Sequence, residues 1–523
     1  MKNKFLFLAI TSLFSITSLA ACGNNNQTTA TPFKVLLVDT DYGDEFLHTL
    51  IKNFLAEKNE TSPSNISLEK DYVIEKTELK DLSDKLSSKS DSPDLVIDYS
   101  LPYKYVANGL ITDISDVFEQ EVLTRKGKKK LKDFTNIENL NMNKYSKIYN
   151  QGSAKTWAMP FVNEVNSIAY NEELLKTIVH VDETYKVEND AISGGKWIRA
   201  PKTIDELKSY FADLDNYNLT ATKKVAKLGW TSNGDILDNL IYTWWAQDQG
   251  VSSTKGNYEE EGVFDEFWRY KSQEIYKQTG LQTSLETLKD LIISGDTFIN
   301  SDDSATTLSQ KDMEDKLLDG SLAMCLTDSS LLAVGNRDTS NIKMMYVPTI
   351  GNAIKNEANE IAKIAFINRE SCLYVPSNAN NVNTAKEFLK YSSEEQQVIT
   401  FSKLTGGIRP FDYNLLEYST SGYNNFEKSC FDIYFNSDEL FSKFPLKAFI
   451  NITWFEALSP IYCYERESAL TPFVNVSSYN ELLDLLKQYT PNQIMVSGKA
   501  GELESAYEVG SSLFAEWHNK YVF

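Results

Sequence analysis

Two periodicities alternate in the first hundred residues, and that alternation limits the architecture more than any other feature of the chain. Phe33-Lys34-Val35-Leu36-Leu37-Val38 is a short, mostly apolar run that reads as a buried strand, broken by Asp39, Asp41 and Gly43. Phe46, Leu47, Leu50, Ile51, Phe54 and Leu55 then recur at helical spacing. A second strand is expected over residues 71–76, a helix over 79–86, and a third strand at Asp94-Leu95-Val96-Ile97-Asp98. Strand, helix, strand, helix, strand specifies an α/β sheet with helices across its faces. Ligands of such open sheets sit beyond the carboxyl ends of the strands, so Asp41, Tyr42, Asp98 and Tyr99 become candidate contacts. The competing reading of each is a turn residue or a surface aromatic.

Residues 115–155 are polar and rich in Lys and Asn, and are expected to be helical in parts and to decorate the surface. The next segment, Thr156-Trp157-Ala158-Met159-Pro160-Phe161-Val162-Asn163-Glu164-Val165, is different. Pro160 interrupts an apolar run and a strand resumes over residues 165–170, so the chain is expected to leave one sheet and enter another here, as a hinge. Thr203 with Glu206, Thr384 with Glu387, Ser392 with Glu395 and Ser478 with Glu481 fit the capping box and predict four helix starts. Trp244 and Trp245 lie on a stretch that is helical after Gly234, where packing in a core is the favoured reading.

A chain of 523 residues with 42% apolar and 12% aromatic content holds two or more large cores. Its formal charge of −21 repels polyphosphate and argues against a nucleic-acid partner. The basic cluster of Arg125, Lys126, Lys128, Lys129, Lys130 and Lys132 reads as a solvated face rather than a lipid-binding patch. Cys325, Cys372, Cys430 and Cys463 are widely spaced, which argues against a zinc cluster. Cys430 with Cys463 is the disulfide pairing closest in sequence, and buried free thiols are the equal alternative. His48, His180 and His518 form no local metal motif, and no nucleophile elbow or phosphate loop is present. No metal and no cofactor are expected.

The amino-terminal residues read as a secretion signal, with an uncleaved anchor or an ordinary cleaved signal peptide as the alternatives: Lys2 and Lys4, an apolar run from Phe5 to Ile16, and then Leu19-Ala20-Ala21-Cys22. That order resembles the lipobox of bacterial lipoproteins. The resemblance implies a signal peptide over residues 1–21, a lipid on Cys22 as the mature terminus, and a location on the extracellular face of the cell membrane. Residues 22–32, with Gly23-Asn24-Asn25-Asn26-Gln27-Thr28-Thr29, suit a flexible tether.

Read in order, the later segments resemble family 1 extracellular solute-binding proteins of ABC importers, the group of the maltose-binding protein. Pro160-Phe161 followed by Ser167-Ile168-Ala169-Tyr170-Asn171 is similar to the family crossover, and Thr203-Ile204-Asp205-Glu206-Leu207 to its Thr-Trp-Asp-Glu-Leu helix start. Leu318-Asp319-Gly320-Ser321-Leu322-Ala323-Met324 resembles the Gly-x-x-Ala-Met segment before a buried strand, and Tyr346-Val347-Pro348-Thr349 the turn that comes next. Tyr374-Val375-Pro376-Ser377 with Thr384-Ala385-Lys386-Glu387-Phe388-Leu389 resembles the return strand and helix, and Gly406, Gly407 and Pro410 the loop that ends it.

The resemblance implies a periplasmic-binding-protein-like fold, with two discontinuous α/β lobes joined by crossovers near residues 160–166 and 360–372 and ligand in the cleft between. The implied division is 33–163 for the first part of lobe 1, 164–362 for that of lobe 2, 363–415 for the return to lobe 1, and 416–523 mainly in lobe 2. By alignment Glu164 falls on a family sugar contact, Asp98 and Tyr99 near the first-lobe contacts, and Asn233 and Asp235 near a second-lobe ligand loop. Trp230 and Ser330 complete the candidate set. Where the family stacks a tryptophan after the Ala-Met strand, this chain has Thr327-Asp328-Ser329-Ser330, which speaks against maltodextrin.

The implied protein is a monomeric, non-enzymatic receptor for a small solute, a sugar by its acidic and aromatic composition, that serves ABC permease subunits by lobe closure. The alternatives are a surface lipoprotein of the same fold that binds a non-sugar solute or a macromolecule without transport, and an exported hydrolase using two carboxylates.

Overall fold

The computed structural model describes residues 31–442, apart from 39–41, 100–104, 107, 136–154, 230–234, 252–279, 281–282, 285, 289, 292–308, 331–337, 369–370 and 420. Ser478, Cys463, His518 and Cys22 lie outside the described residues.

Among the described residues two large sheets organise the fold. The first is built from β1 (Phe33–Val38), β2 (Tyr72–Thr77) and β3 (Leu95–Asp98), with β1 parallel to both neighbours. The apolar run of β1 is continuous because both faces of this sheet are covered. Val35 and Leu37 enter one core with Phe46, Leu50, Ile51 and Phe54 of the helix Glu45–Lys58. Leu36 and Val38 enter the other, with Leu82 and Leu86 of the helix Leu79–Ser87. These elements follow the sequence reading to within a residue or two.

Residues 115–135 hold the hairpin of β4 (Glu121–Thr124) and β5 (Gly127–Lys130) between two one-turn helices. They do more than decorate the surface, because Val122, Leu131 and Phe134 are buried in the first-lobe core. The hairpin's lysines face acids: Lys130 and Lys132 pair with Glu119 at 2.9 and 2.6 Å, and Lys129 with Asp412 at 3.1 Å. The basic cluster is thus a solvated, ion-paired face.

The chain then crosses. β6 (Met159–Pro160) closes the edge of the first sheet, and after Asn163 the strand β7 (Glu164–Asn171), buried along its whole length, runs through the middle of the second. Ile168 and Tyr170 point into one core of the second lobe, Val165 and Ala169 into the other. A small hairpin of β8 (Ile192–Ser193) and β9 (Lys196–Trp197) precedes the helix Ile204–Thr220 and the strand β10 (Ala226–Gly229). The helix Asp235–Gln249 brings Trp244 and Trp245 into the core, where the Trp244 indole donates to the Pro348 carbonyl at 3.1 Å and the Gln247 amide to that of Val347 at 3.2 Å. β11 (Leu322–Asp328) runs antiparallel to β7 on one side, while β12 (Ile342–Met345) and β13 (Ile364–Asn368) share its other edge end to end.

One implied boundary moves. β13 belongs to the second sheet, with Phe366 opposite Asn166 and Asn368 opposite Glu164, so the return to the first lobe begins after Asn368 rather than at 363. The apolar run of β13 needs burial on both faces, and β7 supplies the edge it pairs with. The return strand β14 (Cys372–Tyr374) lies antiparallel between β3 and β6. Helices Val382–Ser392 and Glu395–Thr405 cover the first sheet, with Phe388, Leu389, Val398 and Phe401 in its core. The chain then recrosses, placing Leu415, Phe426, Cys430 and Phe431 in the second lobe, where the helix Asn425–Asn436 precedes β15 (Glu439–Phe441) beside β13.

The helix starts follow the expected caps at one position and depart from them at two. Thr203 caps as expected, its hydroxyl accepting from the Glu206 amide at 3.1 Å. Thr384 is instead inside a helix capped at Asn381, and its hydroxyl takes the Lys58 ammonium at 3.0 Å. Ser392 ends that helix and returns its hydroxyl to the Leu389 carbonyl. Complete capping boxes form at Ser309 with Asp312 and at Asn424 with Glu427. Asn and Asp serve the same hydrogen-bonding geometry that the Ser/Thr–Glu rule expects of other side chains.

At the recrossing, Gly406 caps its helix at φ +70°, and a Cβ on Gly407 would lie 2.7 Å from Cε1 of the Phe401 ring. Gly407→Ala is expected to cost about 1–3 kcal/mol through displacement of that packed ring, read as a lowered unfolding temperature. An unchanged temperature would show that the ring yields freely.

Candidate functional site

The strands that cross between the sheets gather polar side chains that neither core can use. Tyr42, in the turn after β1, is 6% exposed, and its hydroxyl has no hydrogen-bond partner of good geometry although Ser329 lies beside it. Burial, then the charges of Glu164, Tyr99 and Asp328, push its phenol well above its ordinary pKa. That combination places one first-lobe donor against the first crossover and the end of β11. It stays protonated at neutral pH and is available to donate.

Glu164 opens β7 and is 5% exposed; its Oε2 accepts from the Asn368 amide at 3.1 Å. β7 and β13 pair at these two residues, so the acid and the amide sit side by side where the chain leaves and re-enters the hinge. Asn166 follows on the same face of β7. Its Oδ1 accepts from the Asn239 amide at 2.9 Å, which leaves Asn239 Oδ1 without a hydrogen-bond partner beside a small cavity lined also by Ser167, Leu326 and Val347. On β11 the Asp328 carboxylate accepts from the Ser330 amide at 2.7 Å and from its hydroxyl at 2.6 Å. Ser329 ties β11 back to β7, donating its amide to the Val165 carbonyl at 2.9 Å while its hydroxyl accepts from the Val165 amide at 3.0 Å.

The structure therefore brings together four of the sequence candidates, Tyr42, Tyr99, Glu164 and Ser330. Asp98 is corrected. It is fully buried on the opposite face of β3 from the Ile97 core, and its carboxylate accepts from the Tyr374 hydroxyl at 3.0 Å beside the Cys372 thiol. Alternation along the strand points residue 98 away from the face that Ile97 uses. Asp41, Trp230 and Asn233 lie outside the described residues, as does the side chain of Asp235, although its backbone opens the helix Asp235–Gln249.

The sequence does not point to Asn368 or Asn239, and it shows Asp328 and Ser329 only as part of the run that stands where the family stacks a tryptophan. Asp328 had a legible signal, a polar Thr-Asp-Ser-Ser run at the end of an apolar strand. Asn368 had none, because its role depends on pairing across two hundred residues.

Chemically, the cluster presents carboxylates, carboxamides and hydroxyls from both lobes and both crossovers. Such groups exchange hydrogen bonds with a hydroxylated solute and need no reaction to do so. The thiols of Cys325, Cys372 and Cys430 are buried and pushed up by that burial, which makes them structural rather than reactive. Glu188, Asp190 and Glu206 approach one another closely enough to suggest a cation site, but Arg199 already occupies that position as their counter-ion.

Residues 72–420 match the family of bacterial extracellular solute-binding proteins. No curated protein sequence matches the chain. Among solved structures, the chain is similar to the bacterial solute receptor AcbH, which prefers β-D-galactopyranose, at 12% identity and a TM-score of 0.56 over 92% of this chain and 99% of that one. It is similar to an ABC transporter solute-binding protein of Thermotoga lettingae bound with α-D-tagatose, at 13% identity and a TM-score of 0.55 over 93% and 100%. A third likeness, at 14% identity and a TM-score of 0.54 over 91% and 98%, is to the GacH receptor of Streptomyces glaucescens, solved with acarbose. At such identities these likenesses show the periplasmic-binding-protein-like fold alone.

Proposed function

We propose, for a chain that belongs to the bacterial extracellular solute-binding protein family, that it is a lipid-anchored receptor that captures a carbohydrate and delivers it to an ABC permease by lobe closure. The observation that carries the reading is the meeting of Tyr42 with Glu164, Asp328 and Ser329, groups drawn from the first lobe, the crossover and the second lobe. A solute that engages all of them is held by both lobes at once. Its binding free energy then favours the closed arrangement, and closure is the signal a permease reads. The sugars that the similar structures bind or prefer support a carbohydrate, as do the orphaned donor on Tyr42 and the orphaned acceptor on Asn239.

Anchoring is supported by the lipobox-like Leu19-Ala20-Ala21-Cys22 and the polar residues after it. Among the described residues no helix is long and apolar enough to cross a membrane. Cys22→Ala is expected to abolish lipid attachment and release the protein into the medium. Retention of the variant in the membrane fraction would overturn the anchor.

The capture reading is tested by thermal unfolding against sugars, polyols, nucleosides and peptides, with the solute assayed afterwards. A ligand that binds only the native state raises the unfolding temperature in proportion to RT ln(1 + [L]/Kd). A carbohydrate that stabilises and is recovered intact is the expected result. Stabilisation only by non-sugars would overturn the carbohydrate assignment, and consumption of the solute would overturn the receptor.

A further inference from the structure

Arg409 lies in the loop that ends the first lobe's return segment and is 1% exposed. Its guanidinium carbon stands 5.2 Å from the ring centroids of Phe161 and Phe411 and 5.5 Å from that of Phe401. Among the described residues no carboxylate pairs with it, and its Nε and Nη2 have no hydrogen-bond partner. A buried guanidinium with two unpaired nitrogens is costly, since the π faces offset part of the lost hydration and the unmade hydrogen bonds remain. Burial lowers its pKa to about 10, so it stays charged at neutral pH.

The two orphaned nitrogens are not an arbitrary pair. Nε and Nη2 share one edge of the planar guanidinium, with their N–H bonds nearly parallel. That edge is the side-on fork that grips both oxygens of a carboxylate. The loop is fixed against the hinge: the carbonyl of Ile408, just before Arg409, accepts from the Asn163 amide at 2.8 Å, and the Arg409 amide donates to the Tyr413 hydroxyl at 3.0 Å.

The rings that enclose the fork also back the candidate site. Tyr99 meets Phe161 edge-on at 6.2 Å and lies close enough to Arg409 to act on its charge, and Tyr42 lies 5.9 Å from Phe401. The fork and the solute-facing tyrosines are thus one aromatic ring apart. A single negative charge satisfies the fork; a second would meet the acids Glu164 and Asp328 around Tyr42.

We infer that the captured solute is a sugar acid, whose carboxylate pairs side-on with Nε and Nη2 of Arg409 while its hydroxyls engage Tyr42 and Glu164. This rests on the receptor reading and specifies its ligand class. The test is titration calorimetry of the whole protein with glucuronate, galacturonate and their disaccharides, each against its neutral counterpart, with acetate and inorganic phosphate as oxyanions without a sugar ring.

A uronate is expected to bind at least tenfold tighter than its neutral counterpart, Arg409→Met to erase that preference, and Arg409→Lys to restore part of it. Equal or tighter binding of the neutral sugar would overturn the acid assignment and leave the receptor reading standing. So would acetate or phosphate binding as tightly as a uronate, or a uronate preference that survives in Arg409→Met. Binding of no sugar of either kind would bring down the carbohydrate reading itself. The wild-type comparison decides the matter even if the Arg409 variants fail to fold.

Discussion

Glu164→Gln is expected to weaken solute binding by about 10- to 100-fold, the range of a lost hydrogen bond to a charged group, and to erase most of the ligand-dependent rise in unfolding temperature. The fold itself should survive. The glutamine side chain has the same shape, retains a carbonyl oxygen to accept from the Asn368 amide, and removes a buried negative charge that opposes ionisation at Tyr42. An unliganded unfolding temperature equal to or slightly above that of the wild type is therefore expected, as when a binding site relinquishes groups held for function. Full binding by the variant would remove Glu164 from the site. Loss of the fold would make it a structural residue.

Glu206→Ala should show the reverse pattern, a large loss of stability with little effect on the site. Its carboxylate is fully buried at the start of the helix Ile204–Thr220. It accepts from both terminal nitrogens of Arg199, at 2.8 and 2.9 Å, and from the amides of Lys202 and Glu188 at 2.7 and 3.1 Å. Removing the buried acid costs about 3 kcal/mol, because the Lys202 and Glu188 amides lose their acceptor and Arg199 keeps as counter-ions only the exposed Asp190 and Glu188. In a lobe of this size that lowers the unfolding temperature by roughly 6–12 °C. A shift within a degree of wild type would show that water replaces the carboxylate without cost.

The same group sets a pH dependence. Burial alone would raise the Glu206 carboxyl, but the Arg199 guanidinium and the two amides outweigh it and hold the carboxyl below its ordinary value. A carboxyl whose folded pKa is depressed contributes stability that is fully present above its unfolded value of about 4.3 and is lost as pH falls through the folded value. The wild type should therefore lose unfolding temperature with acidification below pH ~4 more steeply than Glu206→Ala. Parallel curves would contradict the assignment.

The order of elements was legible because each depends on local periodicity. β1, the helix after it, β2 and β3 are apolar runs and stripes that no long-range partner has to explain. The crossover at Pro160 was readable for a related reason, since proline in an apolar run marks a sheet edge. What sequence reading missed was the pairing. β13 resembles a first-lobe return strand until β7 claims its edge. Asp98 looks like a strand-end ligand until alternation turns it toward Tyr374. Thr384 looks like a cap until the Asn381 turn starts the helix three residues sooner.

The site shows the same division. Tyr42 and Glu164 follow from the end of a strand and from a family crossover, but their meeting with Asp328 and Asn368 is a property of the assembled sheets. Arg409 is the clearest case. An arginine between an isoleucine and a proline carries no local signal, and only the rings of Phe161, Phe401 and Phe411 that the fold gathers around it mark it as buried.

Small-angle X-ray scattering of the protein with and without its bound solute tests the central claim most directly. A solute held by both lobes is expected to reduce the radius of gyration on binding, and Glu164→Gln at the same solute concentration to leave it at the unliganded value. Tight binding with no contraction would contradict the account, because the solute would then be held by one lobe alone.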